Sequence, residues 1–292
     1  MSIPAFEVIV CGSLHLDILL YAPRLPRPDE TVAGERWAQA CGGKGGNQAA
    51  MAARAGARTA MIGRVGDDDF GKSLRRHLIE SGVDGRAVGV DQKAGSGISA
   101  AILQEDGEYG AVIVSGANLN IDASGLDGQW RGLGAARVLV LQNEVPEAVN
   151  IAAAKAAHAS GAQVILNAAP ARAMTPDLLE FVDILVVNRV EAAMLSGAEV
   201  ESRASALAAL PELGASSRAV IVTLGAEGLV AQAAGEAPFE IAAKPVKAVS
   251  THGAGDCFVG ALAARLAKGD TLREAAEFAN SKAAEVVARA KS

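Results

Sequence analysis

Asp256 stands directly behind the turn Gly253-Ala254-Gly255 and at the head of an apolar run of helical period. Residues with little or no side chain let their backbone N–H groups converge on an anion, and a helix start adds unpaired N–H groups and the positive end of its dipole. A carboxylate in the first turn of such a helix is favoured in its ionised form. It can then accept a hydrogen bond from a substrate hydroxyl and take the proton as that oxygen attacks. The plainer reading of the stretch is a turn with Asp256 as helix cap and nothing bound.

A second stretch of the same kind, Cys41-Gly42-Gly43-Lys44-Gly45-Gly46-Asn47-Gln48, shifts the balance toward the first reading. Lys44 opposes the dipole of the Ala-rich helix expected over 47–56, so an anionic or hydroxyl-rich ligand is the more economical account of Lys44 and Asn47. The phosphate-loop pattern GxxxxGK[ST] is not matched, and Gly12-Ser13-Leu14-His15-Leu16-Asp17 lacks the later glycines of a dinucleotide-binding turn.

The elements that must position these residues follow from periodicity. Short apolar runs at 6–12, 57–63, 87–90, 138–141, 164–166, 184–187 and 220–224 read as strands, the continuous ones buried on both faces. Helical patterns at 70–81, 146–160, 189–195, 201–213 and 256–268 alternate with them, which predicts a parallel sheet covered by helices on both faces. Segments 14–40 and 97–115, with a strand expected over 31–40 and a turn at 105–108, read as hairpins forming a small β lid over the carboxyl ends of the strands. Ligands bind at that edge in such sheets.

Polar residues gather there. Asn143 and Glu144 close one strand, Asn167 another, Asn188 and Glu191 a third, Thr223 and Gly225 a fourth. Each alone is a cap or turn residue; together they suggest one crevice, in which Glu191 with Asn188 can order waters around magnesium. His15 and Asp17 share a strand face at period two, either as a sugar-binding edge or as the wet side of a half-exposed strand.

Composition narrows the function. A chain of 292 residues, 50% of them in the set AVILMFWYC, buries a large core, and a net charge of −6 without any basic run speaks against a nucleic-acid surface. Cys11, Cys41 and Cys257 lack paired spacing and read as small core residues of a reduced compartment. The first residues show neither a basic leader nor a membrane-length apolar run, so a cytoplasmic protein without membrane association is expected.

On Gly42-Gly43-Lys44-Gly45-Gly46-Asn47-Gln48, Asn167-Ala168-Ala169-Pro170-Ala171-Arg172, Asn188 with Glu191, Thr223-Leu224-Gly225 and Gly253-Ala254-Gly255-Asp256, in this order, the chain resembles the ribokinase-type carbohydrate kinases of the PfkB family over essentially its whole length. The resemblance implies a single domain of α/β class, a Rossmann-like three-layer sandwich with a mostly parallel sheet and a small β lid. It implies transfer of the γ-phosphoryl of ATP to a primary hydroxyl of a pentose-like sugar. Asp256 looks like the base and Gly253, Ala254 and Gly255 like the anion hole. His15, Asp17, Gly43, Lys44, Asn47 and Glu144 look like sugar contacts. Asn188, Thr223, Gly225, Gly228 and Asn280 look like the nucleotide site, and Glu191 like the organiser of magnesium waters.

Three departures from the family pattern stand out. His15 replaces the usual Asn, which alters the hydroxyl it meets. Ser250 replaces the usual Asp, and the chain stops at Ser292 without the usual tail loop, which together argue against activation by potassium. A nucleoside kinase, with Trp37 or Tyr109 stacking a base, is the nearest alternative, and a non-catalytic sugar- or nucleotide-binding regulator the alternative of another class. Uncovered lid strands predict a homodimer.

Overall fold

The computed structural model describes residues 5–104, 109–134, 136–247 and 253–288. The expected turn at 105–108, the side chain of Tyr109, and Ser250 to His252 lie outside the described residues. In chain order the elements are β1 (Val8–Cys11), β2 (His15–Tyr21), β3 (Arg36–Gly42), α1 (Lys44–Arg54), β4 (Thr59–Gly66), α2 (Asp69–Glu80), β5 (Val83–Asp91), β6 (Gly97–Leu103), β7 (Tyr109–Val114), α3 (Leu126–Gly132), β8 (Val138–Gln142), α4 (Glu147–Ala159), β9 (Gln163–Asn167), α5 (Pro176–Leu179), β10 (Ile184–Asn188), α6 (Arg189–Ser196), α7 (Arg203–Leu213), β11 (Ala219–Thr223), β12 (Leu229–Ala233), β13 (Phe239–Ile241), α8 (Ala254–Leu266) and α9 (Leu272–Val287).

Among the described residues nine strands form the large sheet, in the order β13-β12-β11-β10-β9-β8-β1-β4-β5. The ladders from β5 to β11 are parallel, and β12 and β13 add an antiparallel edge. Alternate strand residues enter opposite cores. Ile9, Leu139, Leu141, Leu166 and Val187 pack with α3, α4, α6 and α7, whereas Val8, Val10, Val140, Ile165 and Val186 pack with α1, α2, α8 and α9. Burial on both faces is why these strands are apolar throughout, and each such side chain contributes about 1.5–3 kcal/mol. No helix of the described residues is long and apolar enough to cross a membrane.

The small sheet has the order β3-β2-β6-β7. It consists of two antiparallel pairs, β2 with β3 and β6 with β7, joined by a parallel ladder between β2 and β6. Its root is clamped by buried Asn118, which accepts from Leu14 N at 2.9 Å and donates to Leu14 O at 2.8 Å and Ser115 O at 2.9 Å.

Two expected boundaries are corrected. The strand expected over 31–40 begins only at Arg36 and runs on through Gly42, because its residues pair in register with Tyr21 to His15. The helix expected over 47–56 already starts at Lys44 and ends at Arg54, which leaves Gly43 as the turn after β3. Gly45 and Gly46 are helical because α1 crosses the end of β1 in contact: a Cβ on Gly45 would lie 2.7 Å from Ser13 N and O. The antiparallel β12 and β13 answer to no sequence expectation, being only five and three residues long.

Candidate active site

The direction of strand succession reverses between β1 and β8, since β4 and β5 follow on one side and β9, β10 and β11 on the other. Open α/β sheets bind ligands at the carboxyl ends flanking such a reversal. Ser13 follows β1 there and Glu144 follows β8. The Ser13 hydroxyl donates to Glu144 Oε2 at 2.5 Å, and the same oxygen accepts from Lys44 N at 2.9 Å. Gly46 N donates to Ser13 O at 3.0 Å. The first N–H groups of α1 are thus satisfied by Glu144 and Ser13, so this helix start is capped from outside.

The start of α8 differs. Gly253 is its cap residue, in the left-handed conformation at φ 80° that glycine adopts without strain. Ala254, Gly255 and Asp256 form the first turn. No side chain caps these first N–H groups, and Gly253, Gly255 and Asp256 line the crevice, as an anion site requires.

Asp256 is buried within this turn. Its Oδ2 accepts from Asn47 Nδ2 at 3.0 Å and its Oδ1 from Gln48 Nε2 at 3.0 Å. Burial pushes its carboxyl above the ordinary range, while Lys44 and the two amide donors pull it back. Glu191 is buried too, and burial raises its carboxyl, with the charge of Asp256 adding to the rise and Lys44 opposing it. Asn188 and Glu191 form a reciprocal cap on α6: Asn188 Oδ1 accepts from Glu191 N at 2.9 Å and Glu191 Oε2 accepts from Asn188 N at 2.8 Å.

One crevice of about 200 Å³ is lined by Lys44, Asn167, Asn188, Glu191, Thr223, Gly253, Gly255 and Asp256, which come from five separate regions of sequence. The side chain of Asn188 is spent on the helix cap, and Thr223 Oγ1 donates to Val187 O at 3.3 Å. Gly225 opens a short turn past β11. Gly228 and Asn280 sit outside this crevice and meet one shared wall. A Cβ on Gly228 would lie 2.0 Å from Ile241 O, and Asn280 Nδ2 donates to Ala242 O at 2.8 Å.

On the other flank, His15 and Asp17 share a face of β2. The Asp17 carboxylate overhangs Gly42, where a Cβ would lie 2.2 Å from Oδ2, and a Cβ on Gly43, at φ 83°, would lie 2.7 Å from His15 N. His15 is buried, with Nδ1 3.8 Å from Glu144 Oε2. Burial lowers its pKa, Glu144 raises it and Lys44 lowers it, with a net fall, so the ring is neutral near pH 7. The sequence reading did not single out Ser13 or Gln48. Lys44, Asn47 and Gln48 follow helical spacing in an otherwise Ala-rich segment, and that polar stripe is the signal that marks Gln48. Cys11 and Cys257 are core residues as expected, burial pushing their thiols to about 12 and about 11, whereas Cys41 is only half-buried.

The family model described as pfkB family carbohydrate kinase matches residues 5–292. Ribokinase of Mus musculus is 36% identical over 266 residues, covering 90% of this chain and 82% of that protein. Ribokinase of Schizosaccharomyces pombe is 34% identical over 285 residues, covering 94% and 89%. The structure of Arabidopsis thaliana ribokinase complexed with ribose and ATP superposes with a TM-score of 0.88 at 30% identity, over 98% of this chain and 93% of that one. The large, mostly parallel sheet between two helical layers, with a small second sheet, is therefore the ribokinase-like α/β fold. The chain belongs to the pfkB family of carbohydrate kinases, and is a phosphotransferase with an alcohol group as acceptor.

Proposed function

We propose that this kinase transfers the γ-phosphoryl group of ATP to a primary hydroxyl of a pentose-like sugar, ribose being the first candidate. The observation that carries this reading is the placement of Asp256: a buried carboxylate on the same helix turn as three N–H groups that no side chain caps. Asp256 takes the proton of the sugar hydroxyl as its oxygen forms a bond to the γ-phosphorus and the bond to the ADP oxygen breaks in line. The N–H groups at Gly253 to Asp256 receive the charge spread over the transferring oxygens. His15, Asp17, Gly43, Lys44, Asn47 and Glu144 hold the sugar. Asn188, Thr223, Gly225, Gly228 and Asn280 frame the nucleotide, the last two through the wall at 241–243.

Among the described residues no group of three or more metal-ligating side chains exists. Glu191 offers one carboxylate oxygen that the helix cap leaves over, and a lone carboxylate fits magnesium held through water and substrate phosphates. Magnesium there supplies charge neutralisation to the phosphates. Potassium activation turns on Ser250, outside the described residues.

The small sheet acts as the lid, bringing His15 and Asp17 over the sugar and excluding water. By register, Val112 and Val114 of β7 and Trp37 of β3, all exposed, fall on one face of the small sheet, an apolar face suited to a second copy of the chain. A dimer mass in light scattering at micromolar concentration is the expected result; a monomer removes the proposal.

The function itself is tested by ADP release with Mg-ATP against ribose, deoxyribose, fructose, adenosine and cytidine, with and without potassium. Turnover on a free pentose is expected, independent of potassium. Turnover on nucleosides alone would make this a nucleoside kinase, and ligand binding without turnover a regulator.

A further inference from the structure

Gln48 is wholly buried on α1, behind the crevice and out of reach of any substrate. Its Nε2 donates both to Asp256 Oδ1 at 3.0 Å and to Asn167 Oδ1 at 3.1 Å. Asn167 Nδ2 in turn donates to Val186 O at 3.3 Å, so Asn167 must present its oxygen to Gln48 and Gln48 its nitrogen to both acceptors. One amide thus spans the carboxylate on α8 and the end of β9.

The other end of the amide is unsatisfied. Gln48 Oε1 is shielded from water and has no donor among the described residues. A buried carbonyl without a donor costs stability, and Met or Leu in its place would avoid that cost. A locally unfavourable group at a site of chemistry points to what its satisfied end does there.

We infer that Gln48 is a positioning residue for the phosphoryl transfer proposed above, fixing the plane of the Asp256 carboxylate and leaving its remaining lone pairs for the substrate hydroxyl. Asn47 donates to the other oxygen, but Asn47 is also a sugar contact in the proposed function, whereas the Gln48 side chain bonds only Asp256 and Asn167 among the described residues. The bond also favours the ionised carboxylate, against the burial that opposes ionisation. This inference rests on Asp256 being the base.

The test uses Gln48→Met, which keeps volume and loses both donors, and Gln48→Glu, which keeps the shape and places a second carboxylate against Asp256. Each is compared with the wild-type chain and with Asp256→Asn, using Mg-ATP and the sugar that the panel identifies. Gln48→Met is expected to lower kcat by about 10- to 100-fold with sugar KM within about threefold, and to move the acid limb of kcat upward by about one pH unit. Gln48→Glu is expected to move that limb further, because two adjacent carboxylates cannot both ionise freely. Thermal melting establishes that each variant is folded, and if Gln48→Met does not fold, the isosteric Gln48→Glu decides. A folded variant with wild-type kcat and an unmoved acid limb overturns the inference. If that happens while Asp256→Asn is inactive, the base assignment stands and only the role of Gln48 falls. If Asp256→Asn itself retains turnover, both fall.

Discussion

Replacing Asp256 by Asn is expected to lower kcat by about 10²- to 10⁴-fold, the range that a positioned general base contributes, with nucleotide affinity largely retained. The asparagine leaves the backbone N–H groups of the α8 turn in place, so the anion site survives while the proton acceptor is lost. Steady-state kinetics beside a nucleotide titration separates the two. A kcat within about tenfold of wild type would show that Asp256 is not the base. If Asp256 is the base proposed above, turnover needs its ionised carboxylate, and its folded-state pKa lies above the ordinary value because of burial, opposed by Lys44, Asn47 and Gln48. The acid limb of kcat should therefore fall at a higher pH than an exposed aspartate would give. Stability carries the opposite sign. Between the unfolded and folded pKa values the native chain binds more protons at Asp256 than the unfolded chain does, so this group's contribution to stability declines as pH rises through that window. The ionisation that permits catalysis weakens the fold locally.

The second large effect is expected from Gly260→Ala, a single methyl group far from any substrate atom. Gly260 lies where α8 crosses α1, and a Cβ there would stand 2.4 Å from Gln48 O, 2.8 Å from Met51 Cβ and 3.0 Å from Ala52 N. Backbone atoms of a helix cannot swing aside, so the two helices must part. They carry the two halves of the site, Lys44, Asn47 and Gln48 on α1 and Asp256 on α8. Overpacking of this kind costs about 1–3 kcal/mol. A lowered melting temperature together with reduced kcat/KM is the expected result. Gly128→Ala on α3, whose added Cβ meets nothing within 4 Å, is the control and should leave stability unchanged or slightly raised. Equal melting of both variants would show that close helix crossing does not hold the site together.

Much of this architecture was legible in the sequence because burial on both faces forces uninterrupted apolar strands, and the large sheet is built from such strands. Asn167, Asn188, Glu191 and Thr223 are marked as polar residues at the ends of those runs, and Lys44 and Asp256 by the glycine-rich stretches ahead of their helices; all six line one crevice. Less legible were features set by contacts distant in sequence. The start of α1 at Lys44 depends on Glu144 and Ser13 supplying its cap, and nothing local to Gly43 announces that partner. Gln48 reads as a surface residue of an amphipathic helix until α8 is laid over it. Strands β12 and β13 are too short to register, and they form the edge through antiparallel pairing of β12 with β11 and of β13 with β12. Gly228 and Asn280 are brought together by a wall that neither contains.

The crossing of α1 and α8 also sets a timetable for the protein's birth. Asn47 and Asp256, hydrogen-bonded in the finished molecule, are separated by 209 positions. At a synthesis rate of about 5–20 residues per second, α1 waits roughly 10–40 s on the ribosome before the carboxylate it serves has been made. During that interval the side of α1 that meets Gly260 has no partner and the turn at Gly253 to Asp256 does not exist. On the function proposed above, a nascent chain without α8 lacks its base, and turnover is expected only once nearly the whole polypeptide has been assembled.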